Sequence, residues 1–228
     1  MEDIRRRLRQ AAALGGMDID KAAYEAANLP TSEPVLLGSG SLSAKVGIMG
    51  RDPGRQEIML QEPFVGAGGQ LLRAGLHTHH HGSPPPDRAT ARLVGRRYFW
   101  CNTVPYKPTR NRAWSVKIKR RFAPIIADYI VEHWAGQDLI TCGRVAFDWF
   151  RLMEPALAPS LKTFWTTPGC FSRHLPIVFM GKSIRLHPLP HPSPLNARWR
   201  KQFPSLLQDR LAAVETNSAS TPQQQPPK

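Results

Sequence analysis

Gly50-Arg51-Asp52-Pro53-Gly54-Arg55-Gln56-Glu57, followed by Pro63-Phe64-Val65-Gly66-Ala67-Gly68-Gly69, is the stretch that decides the fold. The apolar run Lys45-Val46-Gly47-Ile48-Met49 leads into it and reads as a short buried strand. The glycines and Pro53 then force a tight turn at the carboxyl end of that strand. Ligands in open α/β sheets sit at such strand ends, which places Asp52 where chemistry is done. The same turn also fits a structural loop whose Asp caps the next helix, so the rest of the chain must decide.

Working outward, residues 1–29 carry helical patterning broken at Gly15-Gly16, which suggests two short helices packed on the outside. Beyond the turn, Leu71-Leu72 lie on a helix, and His77-Thr78-His79-His80-His81-Gly82-Ser83-Pro84-Pro85-Pro86 reads as a polar loop. Its histidines have the chemistry of metal ligands, but such a tract is more often solvated, and no metal is assigned. Tyr98 to Val104 is a second buried strand closed by Pro105, with Lys107, Arg110 and Arg112 directly after it. A helix is expected from about Pro124 to Trp134, then a third strand over Asp138–Cys142 and a helix opened by Gly143. Pro176–Met180 and Ser183–Leu186 read as a hairpin that delivers His187-Pro188-Leu189-Pro190-His191-Pro192-Ser193-Pro194-Leu195-Asn196. A basic helix from about Ala197 to Val214 follows.

Strands alternating with helices predict an α/β fold, a three-layer α/β/α sandwich with a central, mainly parallel four-stranded sheet. One domain over 1–215 and a disordered Ser/Gln/Pro-rich tail over 216–228 are expected. In that fold the loops after the first, second and last strands converge, bringing Asp52, Phe64, Asn102 and His191 to one edge. An acid, an aromatic, an amide and a histidine make a site suited to a nucleobase.

The charge agrees. The chain has 31 Lys and Arg against 17 Asp and Glu, a net +14, which suggests a polyanionic partner, nucleic acid first and an anionic membrane surface second. No apolar run approaches the roughly 18 residues of a membrane span. The start, Met1 to Arg7, lacks the apolar core of a secretory signal, so an intracellular protein is expected. Cys101, Cys142 and Cys170 are far apart and form no CxxC pair, which argues for reduced core cysteines and against a metal or cluster site.

Taken together, three ordered motifs resemble the uracil-DNA glycosylase superfamily, and the body is most similar to its iron–sulfur branch. That branch has a GEAPG turn followed by Glu, then PFVG and a Leu-Leu pair; here these positions read Gly50–Gly54, Glu57, Pro63–Gly66 and Leu71-Leu72. Its second motif, Asn-Val-Val-Lys-Cys-Arg-Pro-Pro-x-Asn-Arg, lies over Asn102 to Arg112 without a gap, and its last, His-Pro-Ser, is His191-Pro192-Ser193. The resemblance spans roughly residues 45–205. Two departures stand out. Tyr106 and Phe122 replace cluster cysteines, so no iron–sulfur cluster and no other cofactor is expected. Asp52 stands where that branch has a small residue, and is similar to the Asp of another branch's GQDPY turn.

The resemblance implies a monofunctional DNA glycosylase that flips uracil out of single- or double-stranded DNA and hydrolyses its N-glycosidic bond to start base excision repair. It gives Phe64 the role of stacking on the base and Asn102 that of reading its edge, with Gly50 and Arg51 also against the base. His191 would donate to the uracil oxygen and Asp52 would orient water. Glu57 matches the position that excludes the thymine methyl, while Gly54 replaces the Tyr that does so elsewhere. Leu195 matches a wedge that fills the gap left in the stack. Lys107, Arg110, Arg112, Ser193, Arg198 and Arg200 are the expected DNA contacts. A monomer in a bacterial-type cytoplasm, associated with the nucleoid, is implied. Other readings are a glycosylase for other deaminated bases and a non-catalytic nucleic-acid-binding member. A covalent DNA-trapping relative carries a Lys-Arg-Arg-Ile-His insertion; Lys119-Arg120-Arg121-Phe122 lacks both its His and the insertion.

Overall fold

The computed structural model describes residues 1–38, 40–194 and 196–219, the side chains of 216–219 excepted. Helices α1 (Glu2–Ala13) and α2 (Lys21–Ala26) precede strand β1 (Val46–Gly50). Helices α3 (Arg55–Leu60), α4 (Ala67–His81) and α5 (Arg88–Leu93) then lead to β2 (Phe99–Asn102), and α6 (Val116–Asp128) leads to β3 (Asp138–Cys142). Next come α7 (Arg144–Phe147), α8 (Ala158–Thr166), the hairpin β4 (Leu175–Phe179) and β5 (Lys182–Leu189), and finally α9 (Ala197–Arg200) and α10 (Phe203–Ala219).

The strands order as β2-β1-β3-β5-β4, and every pairing is parallel except β4 against β5. The mainly parallel sheet is as expected, but it has five strands rather than four. The hairpin contributes β5 as a fourth parallel strand and leaves β4 as an antiparallel edge. Alternation along the strands builds the three layers. Met49, Phe99, Cys101 and Leu139 face α1 and α6, where Ile4, Leu8, Phe122 and Ile126 are buried. Ile48, Trp100, Ile140 and Cys142 face α4 and α10, against Leu72, Leu76, Leu207 and Leu211. Each such fully buried aliphatic side chain stabilises the fold by roughly 1.5–3 kcal/mol. Gly47 is required by packing: a Cβ there would lie 2.7 Å from Leu139 and 3.0 Å from Phe99.

Four local expectations change. The histidine tract is not a loop: α4 runs through His81 and ends at Gly82, whose left-handed φ of 71° caps it. The prolines that suggested a loop begin only after that cap. His77 is buried and donates from Nδ1 to the Ser83 carbonyl. Helix α6 starts at Val116, capped by the Ser115 hydroxyl, and carries Pro124 inside it. Proline favours a first turn, but here the buried stripe Ile118, Phe122, Ile125 and Ile126 extends the helix on both sides of it. The basic carboxyl-terminal helix is broken at Lys201-Gln202 into α9 and α10. Finally, α10 continues to Ala219, into the stretch expected to be disordered; residues 220–228 lie outside the described residues.

The chain goes from β1 to β2 on one side and then to β3 on the other, so the topology switches at β1. The carboxyl ends of β1, β2, β3 and β5 therefore open on one edge, at Gly50, Asn102, Cys142 and Leu189. This is where a crevice forms in such sheets.

Candidate active site

Gly50 and Asn102 are register partners at the ends of β1 and β2. A Cβ on Gly50 would lie 2.5 Å from Phe64 Cζ and 3.1 Å from Asn102 Oδ1, so only glycine lets ring and amide meet over the strand end. Phe64 holds a left-handed φ of 58°, a conformation that costs an aromatic residue of order 1–3 kcal/mol. Behind it stands Trp100, with ring centroids 5.2 Å apart. Asn102 is buried, and its amide hydrogen-bonds no other described residue. Among the described residues nothing competes with a ligand for it.

Asp52 follows on the β1 loop with its side chain 3% exposed. Its carboxylate accepts from Arg51 Nε at 2.9 and 3.0 Å, and Arg51 Nη2 donates to the Asn111 carbonyl at 3.0 Å. Burial pushes the Asp52 pKa up to about 6, against the opposing pull of the Arg51 charge. Opposite lies His191, two residues beyond β5, against Gly143, where a Cβ would come within 3.1 Å of the His191 Cβ. The Ser193 N–H donates to His191 Nδ1 at 3.1 Å, and Asn196 Nδ2 donates to the His191 carbonyl at 3.0 Å. The residue is open to solvent at the cleft, and desolvation by the cleft walls together with the Arg51 charge lowers its pKa to about 4. At neutral pH the site thus holds an ionised Asp52 and a neutral His191.

Glu57 ties the two halves of the opening stretch together. Its carboxylate accepts the backbone N–H of Gly54 at 3.1 Å, Val65 at 3.1 Å and Gly66 at 2.7 Å. The resulting cleft, about 540 Å³, is lined by Asp52, Glu57, Phe64, Asn102, Asn111 and His191 among others. A larger groove of about 690 Å³ lies along α3, α4 and α5 but holds none of these groups. Convergent polar chemistry, not volume, marks the candidate site.

The structure thus brings together Gly50, Arg51, Asp52, Glu57, Phe64, Asn102, His191 and Ser193. Lys107, expected at the DNA, is 4% exposed, and its ammonium pairs with Asp20 at 3.1 Å and Asn111 Oδ1 at 2.7 Å. In this arrangement the ammonium faces a half-buried carboxylate and an amide oxygen of the protein. Arg110, Arg112, Arg198 and Arg200 are exposed. Leu195 lies outside the described residues. Three residues given no role from the sequence belong to the setting. Asn111 lines the cleft, Lys119 lies close enough to Asp52 for their charges to interact, and Arg73 is bound to the Phe64 carbonyl. For Arg73 there was a signal: it shares the buried stripe Gly69, Leu72, Arg73, Leu76, where a charge is out of place.

An iron–sulfur cluster does not fit the residues present. Tyr106 and Phe122 pack ring against ring at 5.4 Å in the core, and the Tyr106 hydroxyl donates to the Ser32 carbonyl at 2.9 Å. Among the described residues no helix is long and apolar enough to cross a membrane, and no group of three His, Cys, Asp or Glu side chains is placed to hold a metal. No curated protein matches the chain. The family model described as the uracil DNA glycosylase superfamily does match, over residues 37–215, a span that takes in every strand and the whole cleft, and the chain belongs to that superfamily.

Proposed function

We propose that this protein is a monofunctional uracil-DNA glycosylase, releasing uracil from single- and double-stranded DNA to start base excision repair. Glycosylase-type chemistry goes with the superfamily; the choice of uracil is our reading. It is carried by one observation: the Asn102 amide, bonded to no other described residue, beside the Phe64 ring, over a bare Gly50. An amide at that place offers a donor to the uracil 4-oxygen and an acceptor to its ring N–H. To an amide in that orientation cytosine presents the reverse pattern, leaving both amide groups unpaired.

The base first leaves the stack, at a cost of a few kcal/mol, and its face lies on Phe64. As the C–N bond breaks, its electron pair departs with the base and the sugar becomes cationic. His191 accepts at Nδ1, so its ring proton sits on Nε2 and is available to the uracil 2-oxygen. Asp52, ionised and buried, stabilises the sugar cation and orients the water that adds to it. The water's second proton then passes to solvent. Glu57, fixed by three backbone donors, stands as an unyielding wall against a methyl group on the base. No step is assigned to a cofactor, and the protein is proposed to act as a monomer.

One incubation tests this. Uracil-containing single- and double-stranded oligonucleotides, treated with the protein and then with alkali, should break only at uracil. Intact strands after treatment with folded protein would overturn the reading.

A further inference from the structure

We propose that Arg73 is a positioning residue that holds Phe64 in its base-stacking conformation, an inference that rests on the reading of Phe64 above. Arg73 is 1% exposed and lies in the middle of α4, pointing at the loop rather than at the cleft. Its Nε donates to the Phe64 carbonyl at 2.8 Å and its Nη2 to the Pro63 carbonyl at 2.8 Å. Nη1 donates to the Arg92 carbonyl at 3.0 Å, so all three nitrogens are engaged. The charge is met by Glu62 at 2.9 Å, which also pairs with Arg92. The guanidinium lies 4.5 Å over the Trp100 ring, the same ring that backs Phe64.

The surroundings are shaped for this group. A Cβ on Gly95 would fall 2.1 Å from Arg73 Nη1. On the other side, a Cβ on Gly69 would fall 2.1 Å from the Phe64 carbonyl carbon, so α4 presses directly on the Phe64 backbone. Two consecutive inward carbonyls and one left-handed residue are what a flat, forked donor can hold at once and an ammonium cannot. Without the fork both carbonyls are buried unpaired, and Phe64 is released to an ordinary negative φ. The ring would then leave the face of Gly50.

The experiment is a double-mutant cycle on uracil release, using the full chain. Arg73→Met, with its fold checked by circular dichroism and thermal melting, should lower kcat/KM by roughly 10- to 100-fold, the scale of misplacing a reactive group. Arg73→Lys should recover only part of that. Affinity for DNA carrying an abasic site, which needs no base stacking, should stay within about twofold. In a Phe64→Ala background the same Arg73→Met change should cost less than about twofold, because its means of action is already gone. Equal losses in both backgrounds, or unchanged kcat/KM, would overturn the proposal. Should the wild type release no uracil, the function fails separately. The coupling is then read from melting temperatures: Arg73→Met should destabilise the wild type more than a Phe64→Gly variant, where no left-handed strain needs holding, and equal shifts would refute it.

Discussion

His191 accepts a hydrogen bond from the Ser193 backbone N–H across 3.1 Å. That single contact sets the tautomer: Nδ1 carries the lone pair, Nε2 carries the proton, and the ring faces the cleft as a neutral donor. Protonation would put a second hydrogen against the Ser193 N–H. The low pKa of about 4, caused by burial and by Arg51, agrees with that geometry.

From this pairing a pH profile follows. Asp52 must be ionised and has a pKa near 6, while His191 must be neutral and already is above about 4. Single-turnover rates should therefore rise with pH through about 6 and level off near neutrality, the limb belonging to Asp52. Asp52→Asn and His191→Ala should each lower turnover by roughly 10²-fold or more with DNA binding retained. Asp52→Asn should also flatten the limb; a limb that persists in that variant belongs to another group.

Asn102→Asp should relax discrimination against cytosine. A protonated carboxyl can donate to the cytosine ring nitrogen and accept from its exocyclic amine, pairing groups that the amide leaves unsatisfied. Each such pairing is worth of order 1–3 kcal/mol. Uracil release should fall and weak cytosine release appear below neutral pH. Full uracil activity in this variant would mean that Asn102 does not read the base.

Binding to DNA should weaken steeply with salt, since a net charge of +14 acts through phosphates. Replacing Arg110, Arg112, Arg198 or Arg200 by Ala should each flatten the slope of log affinity against log salt by roughly one. Lys107→Met should behave differently. It breaks the pair with Asp20 and Asn111, so it should lower stability by about 1–3 kcal/mol in a urea melt. A changed salt slope with unchanged stability would return Lys107 to the DNA surface.

The contrast between Lys107 and its neighbours shows what the sequence could and could not tell. The alternation of Ile48 with Met49 and of Phe99 with Trp100 is local, and it was enough to read strands, layers and the edge where the motifs meet. The partner of Lys107 is Asp20, the cap of a helix whose docking no local pattern reveals. The histidine stretch misled because Pro84-Pro85-Pro86 are strong breakers, yet they act only beyond Gly82. Arg73 went unassigned because its partners, the Pro63 and Phe64 carbonyls, are backbone groups and leave no trace in side-chain chemistry.

Purified protein should carry no iron. The ring pair of Tyr106 and Phe122 fills core space and supplies no thiolate. Elemental analysis giving about four iron atoms per chain would contradict this.

The last expectation concerns acid stability, through the buried His187 and the groups bonded to it. His187 Nε2 donates to Asp138 at 2.8 Å, and Arg210 Nη1 donates to His187 Nδ1 at 3.2 Å. Arg185 donates to both Asp138 oxygens, Nε to Oδ1 at 2.6 Å and Nη2 to Oδ2 at 2.5 Å, and the His174 ring stands 5.3 Å from that of His187. Because arginine only donates, His187 is neutral in this arrangement, and a proton on Nδ1 would break its contact with Arg210. Burial lowers the His187 pKa despite Asp138, and Arg210 and His174 lower it further. The unfolded chain, with an ordinary histidine near 6.5, therefore takes up the proton first as pH falls. The stability present above about 6.5 is lost progressively below it, by up to about 1.4 kcal/mol per pH unit for one proton. Asp138, held down to about 2, stays ionised across that window and adds no slope there. His187→Gln can still donate to Asp138 and accept from Arg210 but does not titrate. Urea midpoints at pH 7.5 and pH 5 should differ less in that variant than in the wild type; equal differences would show that the proton binds elsewhere.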